Sequence, residues 1–158
     1  MNRIIDELDR RLIALLAAEP RIGVLECSRR LAVARGTVQA RLDRLVRQGV
    51  ITGFGPEVDP SALGYAVTAF VTLQIGQVGG HDPVAGRLAD IPEVIEVHTI
   101  TGAGDMLCRI VARSNRDLQR VIDLIVDVEG VERASTTIAL ATPVRPRYLP
   151  LVRAAVGG

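Results

Sequence analysis

The sequence predicts an α+β protein of two parts, an all-helical part followed by one in which strands and helices alternate. In residues 1–54, apolar side chains recur at three- and four-residue spacing, which is the pattern of amphipathic helices. In residues 65–142, polar and apolar side chains alternate in several short runs, which is the pattern of strands. The polar segment 55–64 between them contains Pro56 and Pro60 and is predicted to be a linker.

Three helices are predicted in the first part. The first, at 5–18, has leucines along one side and ends before Pro20, because the residue ahead of a proline avoids the helical conformation. A short second helix at 24–32 and a longer third helix at 34–48 are separated by a brief turn. Two helices in this arrangement, the second with exposed basic residues, form a helix-turn-helix. The run at 50–55 is expected to add a short strand, or wing.

The third helix carries the strongest functional pattern of the chain. Val38, Leu42 and Leu45 form one apolar stripe that can be buried, while the other side shows small residues and arginines. Small residues let a helix approach the bases of a major groove closely, and arginines reach phosphates or guanine edges. We therefore predict that double-stranded DNA is a partner. The candidate contacts are Arg29, Arg30, Arg35, Gly36, Thr37, Ala40, Arg41, Arg44 and Arg47.

Charge is divided unevenly between the two parts. Residues 1–54 hold ten arginines against six acidic residues, whereas the remaining residues hold nine arginines against twelve acidic ones. A basic first part is suited to a polyanion such as DNA. The alternative for these arginines is a solvated basic face or internal ion pairs, such as Arg47 with Asp43. Arg41 is the candidate nearest the buried stripe.

The start of the third helix is weakly specified by its own sequence. Ala34, at the position before the helix, has no side-chain oxygen to cap the first amides, which costs about 1 kcal/mol. Gly36 in the first turn adds a penalty on the order of 1 kcal/mol. We therefore expect the first two helices to hold the third in place by packing.

The second part is predicted to have a ferredoxin-like βαββαβ fold. Its strands are expected at 65–75, 94–101, 106–112 and 131–141, its helices at 82–89 and 115–126, and a flexible loop at 76–80. The first strand has one strongly apolar side and one side with Thr68, Phe70, Thr72 and Gln74, which could meet another subunit. The last segment, 143–158, contains three prolines and is expected to be extended, and to pack on a neighbour or fray.

A glycine-rich turn joins the two middle strands. Its sequence, TGAGD at 101–105, places a carboxylate beside glycines with accessible amides. Such a turn could hold an amino-acid zwitterion, with Asp105 on the ammonium and the amides near Gly102 and Gly104 on the carboxylate. The alternative is a plain tight turn, in which the glycines adopt positive φ and Asp105 satisfies the local backbone.

Other kinds of chemistry are not indicated. His81 and His98 lack a cysteine or carboxylate at ligand spacing, so no metal site is expected, and His98 is expected in a core or an interface. The sequence shows no grouping of nucleophile, base and orienting residue and no phosphate-binding loop, so neither an enzyme nor a cofactor is expected. Cys27 and Cys108 lie in apolar surroundings and are expected to be buried free thiols.

Nothing in the sequence indicates export or a membrane. The acidic, amphipathic N-terminus is unlike a signal peptide, and no apolar run reaches the roughly 18 residues of a membrane span. We therefore expect a cytoplasmic protein with no membrane partner.

Five stretches of the chain match, in order and spacing, the pattern of one known family. They are ELDRRLI at 7–13, TVQARLDRL at 37–45 with GVI at 49–51, VDP at 58–60 with LG at 63–64, PEV at 92–94 leading to TG at 101–102 and Asp105, and GV at 130–131 with STT at 135–137. Over nearly its whole length the chain resembles the transcriptional regulators of the leucine-responsive regulatory protein and asparagine regulator (Lrp/AsnC) family.

The resemblance implies a winged helix-turn-helix DNA reader at 1–54 and an effector-binding and assembly domain at 65–142. Members form homodimers that often assemble into tetramers or octamers, and many sense a free amino acid between subunits, close to the glycine-rich turn. The implied effector contacts are Thr101, Gly102, Ala103, Gly104, Asp105 and Thr137. The chain departs from the family pattern at Ala34, where Ser is usual, and at Ala103 and Gly104, where an acidic or polar residue usually precedes an aromatic one.

The leading hypothesis is a sequence-specific DNA-binding regulator whose assembly or DNA affinity shifts with a small effector, expected to be an amino acid. One alternative is an architectural DNA-wrapping protein without an effector. A second is an enzyme similar to sirohaem decarboxylases, which resemble this two-part architecture and depend on histidine and basic side chains. In this chain only His98 lies in a plausible place for that chemistry.

Overall fold

A computed structural model describes residues 5–76 and 81–156 of the chain. By internal packing the chain divides into two compact units. The helical unit consists of Met1–Pro56 with Val144–Gly158, and the sheet unit consists of Glu57–Pro143. The chain therefore leaves the helical unit, builds the sheet unit and returns.

The elements follow one another in an order close to the predicted one. The helices are α1 (Glu7–Ala18), α2 (Val24–Leu31), α3 (Arg35–Arg47), α4 (His81–Ala89), α5 (Asn115–Val126) and α6 (Leu149–Val156). The strands are β1 (Val67–Ile75), β2 (Val94–Thr99), β3 (Met106–Ala112) and β4 (Val131–Ala139). A short 3₁₀ turn, Pro60–Leu63, precedes β1.

Side chains and backbone conformation determine where the first helices begin and end. Asp6 caps α1 with a capping box, in which its carboxylate accepts from the Asp9 amide at 3.0 Å and the Asp9 carboxylate accepts from the Asp6 amide at 2.9 Å. Helix α3 has no side-chain cap at Ala34, as predicted, and it ends before Gly49, whose φ is +69°. Between α2 and α3, Ala32 adopts a left-handed φ of 57°, which is uncommon for a residue with a side chain.

An aliphatic core holds the helical unit together. Its buried residues are Ile5, Leu12, Cys27, Leu31, Val38 and Leu45. Val38 and Leu45 are 2% and 0% exposed, with Leu42 half-buried beside them, which confirms the stripe predicted for α3. Cys27 is a buried free thiol, as predicted, and burial raises its pKa.

Residues 50–55 do not form the expected strand. The amides of Val50 and Ile51 both donate to the Leu45 carbonyl, at 2.9 and 3.2 Å, so the chain folds back against the end of α3. Their side chains pack on the helical core instead of facing a partner strand. The prediction of a strand here was wrong because these β-branched residues are used by the core.

The C-terminal segment also differs from the prediction, which was an extended tail at 143–158. Its last part forms α6, and Val152 and Val156 pack on the same core as α1. Pro150 does not prevent this helix because it lies in the first turn, where a proline removes no helical hydrogen bond. Helix α6 therefore belongs to the helical unit and contacts α1.

The sheet unit confirms the predicted βαββαβ order. Its antiparallel sheet has the strand order β2-β3-β1-β4, and Val71 at its centre lies opposite Cys108 in β3 and Thr136 in β4. Helices α4 and α5 pack on the Val71 face through residues such as Leu88 and Val121. Cys108 is a buried free thiol, as predicted, and burial raises its pKa to about 11.

The opposite face of the sheet, called the outer face below, is semi-polar as predicted. It carries Thr68, Phe70, Thr72 and Gln74 from β1, Leu107 and Arg109 from β3, Glu96 and His98 from β2, and Arg133, Ser135 and Thr137 from β4. His98 is exposed and 3.5 Å from Glu96, so the expectation of a core position was wrong, while an interface position stays a prediction. The loop expected at 76–80 lies, after Gly76, outside the described residues.

Candidate functional site

The exposed side of α3 holds most of the residues predicted to bind DNA. Gly36, Thr37 and Ala40 are exposed, and with Arg41 and Arg44 they line a shallow cleft of about 470 Å³. Because the first three side chains are small, a ligand in this cleft can come close to the backbone of α3. The cleft is therefore suited to the edge of a nucleic-acid groove.

Arg41 and Arg44 are bound to two carboxylates at the start of α1. Arg41 pairs with Asp6, and its Nη1 lies 3.2 Å from Oδ1 of Asp9. Arg44 pairs through its Nη2 with Oδ2 of Asp9. Asp9 itself is 0% exposed. Both arginines thus have internal ion pairs, with partners that the sequence did not indicate.

The charges of these residues are stabilised by one another. The hydrogen bond from Arg41 is the main cause that lowers the pKa of Asp6 to about 2. The same contact raises the pKa of the Arg41 guanidinium. Two carboxylates and two guanidinium groups carry no net charge together, so this group adds little to the positive potential of the helical unit. Nε of Arg44 is buried and makes no hydrogen bond within the described part of the chain.

The arginines of α2 also contact carboxylates. Arg30 pairs with Glu19, and its Nε lies 3.0 Å from Oε1 of Glu26. Hydrogen bonding by Arg30 lowers the pKa of Glu26. Arg29 lies 3.6 Å from Glu26, and its side chain is 69% exposed. Arg29 is therefore the less constrained of the two.

Arg35 and Arg47 stand at the two ends of α3 and are exposed. Neither forms an ion pair with a residue in the ranges 5–76 and 81–156. The alternative pairing of Arg47 with Asp43 is not formed, and Asp43 instead accepts a hydrogen bond from Nε2 of Gln39 at 2.8 Å. These two arginines are the candidates with charge available for another molecule.

Gln39 and Asp43 are polar groups on this helix that the sequence argument missed. Both are exposed and are joined by their side chains at helical spacing. Spacings of four, three and four residues place Asp43 on the same side of α3 as Gly36, Ala40 and Arg47. An amide pairs with adenine and a carboxylate accepts from cytosine, so both belong among the candidate base contacts. The signal for them in the sequence is their four-residue spacing on the exposed side of the predicted helix, which the pattern of basic residues alone does not include.

In the sheet unit, the TGAGD turn joins β2 to β3 and lies against β1. The Asp105 amide donates to the Leu73 carbonyl at 2.8 Å. Gly102 has a φ of +121°, a conformation that favours glycine. A Cβ on Gly104 would lie 2.5 Å from Cγ2 of Thr72 and 2.9 Å from the Leu73 carbonyl oxygen. The turn therefore requires glycine at both positions.

The Asp105 carboxylate is partly used by the fold. Its Oδ2 accepts a hydrogen bond from the Ile75 amide at 2.8 Å, whereas Oδ1 receives none from the described residues. Thr101, Gly102 and Ala103 are exposed, and Gly104 is half-buried. Thr137 lies on the outer face opposite Phe70, and not in the turn. The structure thus brings the five turn residues together and places Thr137 apart from them on β4.

Comparison with known protein families covers both units. Residues 5–52 match the model of a winged helix-turn-helix DNA-binding domain, and residues 68–149 match that of the Lrp/AsnC ligand binding domain. The chain belongs to the Lrp/AsnC family. It is accordingly a DNA-binding transcriptional regulator with a helix-turn-helix domain and a ligand-binding domain.

Similarity to individual Lrp/AsnC proteins extends over almost the whole chain. The HTH-type transcriptional regulator FL11 from Pyrococcus furiosus is 32% identical over 151 residues, which cover 96% of this chain and 99% of FL11. Escherichia coli AsnC has a similar structure, with a TM-score of 0.84, 27% identity and coverage of 92% and 99% of the two chains. The feast or famine regulatory protein from Mycobacterium tuberculosis, complexed with L-methionine, has a TM-score of 0.79, 30% identity and coverage of 90% and 96%.

Among the residues that the structure describes, no helix is long and apolar enough to cross a bilayer. In the same residues, no group of three or more His, Cys, Asp or Glu side chains is placed to hold a metal ion.

Proposed function

We propose that this Lrp/AsnC chain reads specific DNA sequences by placing the exposed side of α3 in a major groove of double-stranded DNA. The observation that carries the proposal is a row of small exposed residues with an unpaired, exposed arginine at each end of the same helix, within the described part of the chain. Helix α3 has 13 residues and is about 20 Å long, while the major groove is about 12 Å wide. Its ends therefore reach the two phosphate walls while Gly36, Thr37 and Ala40 approach the base edges.

Affinity and specificity are assigned to different groups in this arrangement. Arg35 and Arg47 supply charge for phosphates, which gives salt-dependent affinity without sequence choice. Thr37, Gln39 and Asp43 offer the donors and acceptors that can distinguish base edges. Arg29, exposed on α2, is a further candidate for a phosphate contact.

For the effector, we propose an amino acid held at the TGAGD turn. Oδ1 of Asp105 is available to pair with an ammonium group, while Oδ2 is fixed by the Ile75 amide and so orients the carboxylate. The residues around Gly102 are exposed, and their amides can meet the carboxylate of the same ligand. Two comparisons support this: the matched ligand-binding domain includes the turn, and the M. tuberculosis relative is complexed with L-methionine.

The effector proposal is tested with Asp105→Asn. Asparagine keeps an oxygen that can accept from the Ile75 amide but loses the negative charge that an ammonium needs. In calorimetric titrations with the twenty amino acids, the wild-type chain should release heat with at least one, and Asp105→Asn should lose that heat while still binding DNA. Asp90→Asn, at an exposed residue of the same unit, is the matched control. A normal response in Asp105→Asn contradicts the zwitterion model.

For assembly, we propose that the outer face is where two copies of the chain meet to form a homodimer, and that dimers assemble further into tetramers or octamers. Phe70 is 38% exposed at the centre of this face. Helices α4 and α5 cover the other face of the sheet and leave this one open within a single chain. Phe70→Glu should reduce the assembly size measured by sedimentation without loss of helical content. An effector can then shift assembly or DNA affinity only as far as its affinity differs between the two states.

An architectural DNA-wrapping protein without effector is the second candidate. The observation that favours it is that Gly104 and one oxygen of Asp105 are both used to fasten the turn to β1. Genome-wide footprinting with and without amino acids separates the two functions. Discrete sites whose occupancy changes with one amino acid support the regulator, whereas broad occupancy that ignores every amino acid supports the architectural protein. Exposed His98, beside Glu96 on an open sheet face, does not favour the decarboxylase-like alternative.

A further inference from the structure

Four charged residues join the start of α1 to the middle of α3, and we call them the carboxylate clamp: Asp6, Asp9, Arg41 and Arg44. Oδ1 of Asp9 lies 3.2 Å from Nη1 of Arg41, and Oδ2 accepts from the Asp6 amide at 2.9 Å and pairs with Nη2 of Arg44. Both oxygens of the Asp9 carboxylate are therefore in use. The same side chain completes the capping box of α1 and holds two arginines of α3.

Burial makes the clamp difficult to open. Asp9 is 0% exposed, whereas the Arg41 and Arg44 side chains are 28% and 35% exposed. If these arginines turned to a phosphate, they would leave a buried carboxylate without a cation, which is strongly unfavourable. A phosphate contact at the solvent-exposed surface of a helix contributes much less free energy than this loss, because water and salt screen it. The arginines should therefore stay on Asp9 when DNA is bound.

Arg35 and Arg47 differ from the clamped pair in every one of these respects. They are exposed and make no ion pair within the described ranges. They stand at opposite ends of α3, about 18 Å apart along its axis. That separation exceeds the width of a major groove, about 12 Å, so each can reach one phosphate wall.

We propose that the arginines of α3 are divided by role, with Arg41 and Arg44 as positioning residues held by the carboxylate clamp and Arg35 and Arg47 as the phosphate contacts. The division rests on the proposed function, since it assumes that α3 enters DNA. It removes Arg41 and Arg44 from the predicted DNA contacts. Their task is to fix the orientation of α3 on α1, so that Thr37 and its neighbours face the bases.

The dependence of binding on salt separates the two roles. Affinity falls as salt rises, and each phosphate that a protein neutralises adds about 0.9 to the magnitude of the slope of log affinity against log salt, which we call the salt slope. Binding of the full chain to a short labelled duplex from a footprinted site is measured between about 50 and 200 mM KCl. Arg47→Gln and Arg35→Gln should each lower the salt slope by about 0.9 for every copy of α3 bound to the duplex. Arg44→Gln should weaken binding by a similar factor at every salt concentration and leave the slope unchanged.

Asp9→Asn gives a prediction of opposite sign for the two roles. Asparagine has nearly the shape of aspartate, and the change removes one negative charge from the helical unit. If Arg41 and Arg44 contact phosphates, freeing them from Asp9 should tighten binding. If they are positioning residues, Asp9→Asn should weaken binding roughly tenfold, comparable with the loss of one good base contact, with no change of slope.

Folding is followed in parallel, so that a positioning effect is not confused with unfolding. Circular dichroism melts select a temperature at which every variant is folded. Asp6→Asn is the milder variant, because Asp6 is half exposed and asparagine also caps helices, and it should weaken binding in the same direction by less. Because Asp9 and Arg44 act through one contact, the double variant Asp9→Asn with Arg44→Gln should bind DNA no more weakly than the single variant that has the lower DNA affinity.

The clamp assignment is overturned if Arg44→Gln lowers the salt slope as Arg47→Gln does, or if Asp9→Asn binds DNA more tightly than the wild type. Failure of the proposed function gives a different result. Duplex binding that is unchanged by all three arginine substitutions, or no duplex binding by the wild-type chain, shows that α3 is not the reader and removes both proposals.

Discussion

The helical unit presents its candidate site as side chains on a helix, whereas the sheet unit builds its candidate effector site from the backbone of a turn. In the first, Asp9 and two arginines of α3 fix the orientation of the exposed side. In the second, the Asp105 amide donates to β1, and the absence of a side chain at Gly104 lets the turn lie close to that strand. The first site should therefore be sensitive to the loss of a charge, and the second to the gain of a methyl group.

The largest effect is expected from Asp9→Ala. Asp9→Ala removes the buried carboxylate and its part of the capping box, and it leaves the partly exposed Arg44 without its partner, so the helical unit should lose about 3 kcal/mol, the lower end of what breaking a buried ion pair costs. Urea unfolding followed by circular dichroism measures the loss. Asp43→Ala is the matched control, because this aspartate is exposed and its one side-chain hydrogen bond within the described residues is with Gln39, so it should change stability by less than about 0.5 kcal/mol. Equal effects of the two substitutions would show that the clamp contributes no special stability.

Removal of α6 should have the next largest effect, again in the helical unit. A chain that stops after Tyr148 loses Val152 and Val156 from the core, and with up to about 1.5 kcal/mol for each valine the loss should be about 2 kcal/mol. Thermal unfolding should show a lower midpoint for the helical unit and an unchanged one for the sheet unit. Leu151→Ala, at a residue 67% exposed on the same helix, should leave both midpoints in place. An unchanged midpoint after truncation contradicts the assignment of α6 to this core.

The turn is tested by Gly104→Ala. The added Cβ would lie 2.5 Å from Thr72 Cγ2 and 2.9 Å from a backbone carbonyl, so the sheet unit should lose about 1–3 kcal/mol. Gly86→Ala in α4 is the control, because nothing lies within 4 Å of its Cβ and alanine favours a helix. Thermal unfolding should move the two variants in opposite directions. A shift of the same sign in both would mean that close approach is not the reason for glycine in the turn.

The smallest effect concerns acid. The pKa of Asp6 is about 2 in the folded chain, below its ordinary value of 3.8, chiefly because of the Arg41 hydrogen bond. A carboxyl with a lowered pKa contributes stability that is present above pH about 4 and lost as pH falls towards 2. Urea unfolding of the wild type should therefore become easier over that window by more than unfolding of Asp6→Asn does. Parallel curves for the two proteins contradict the pairing of Asp6 with Arg41.

Local spacing was sufficient to predict most of the fold. Burial of one side of a single element follows the period of that element. A spacing of three to four residues therefore predicted the buried stripe of Val38 and Leu45 in α3, and alternation predicted the buried side of β1. The glycines of the TGAGD turn were also visible, because a tight turn is a local structure.

Features that depend on distant contacts were not predicted. The Arg44 and Asp9 pair spans 35 residues, and α6 packs on α1 from the other end of the chain. The sequence does contain a signal for Asp9, because the residue lies at helical spacing from Ile5 and Leu12 on the buried side of α1. A charged residue at a buried position needs a partner. At α6, the prolines of the segment suggested an extended tail. Pro150 is compatible with a helix only because it lies in the first turn, and this helix is stabilised by packing on a core that is distant in sequence.

The most direct test of the central claim, that the exposed side of α3 reads DNA, is duplex binding by Ala40→Glu. Ala40 is exposed at the centre of that side, so a glutamate there would meet phosphates and base edges with the wrong charge and size. Ala17→Glu on α1 changes the charge equally at another exposed alanine. The account predicts that Ala40→Glu loses duplex binding at physiological salt with unchanged thermal unfolding, while Ala17→Glu binds nearly as the wild type does. Equal binding by the two variants would contradict it.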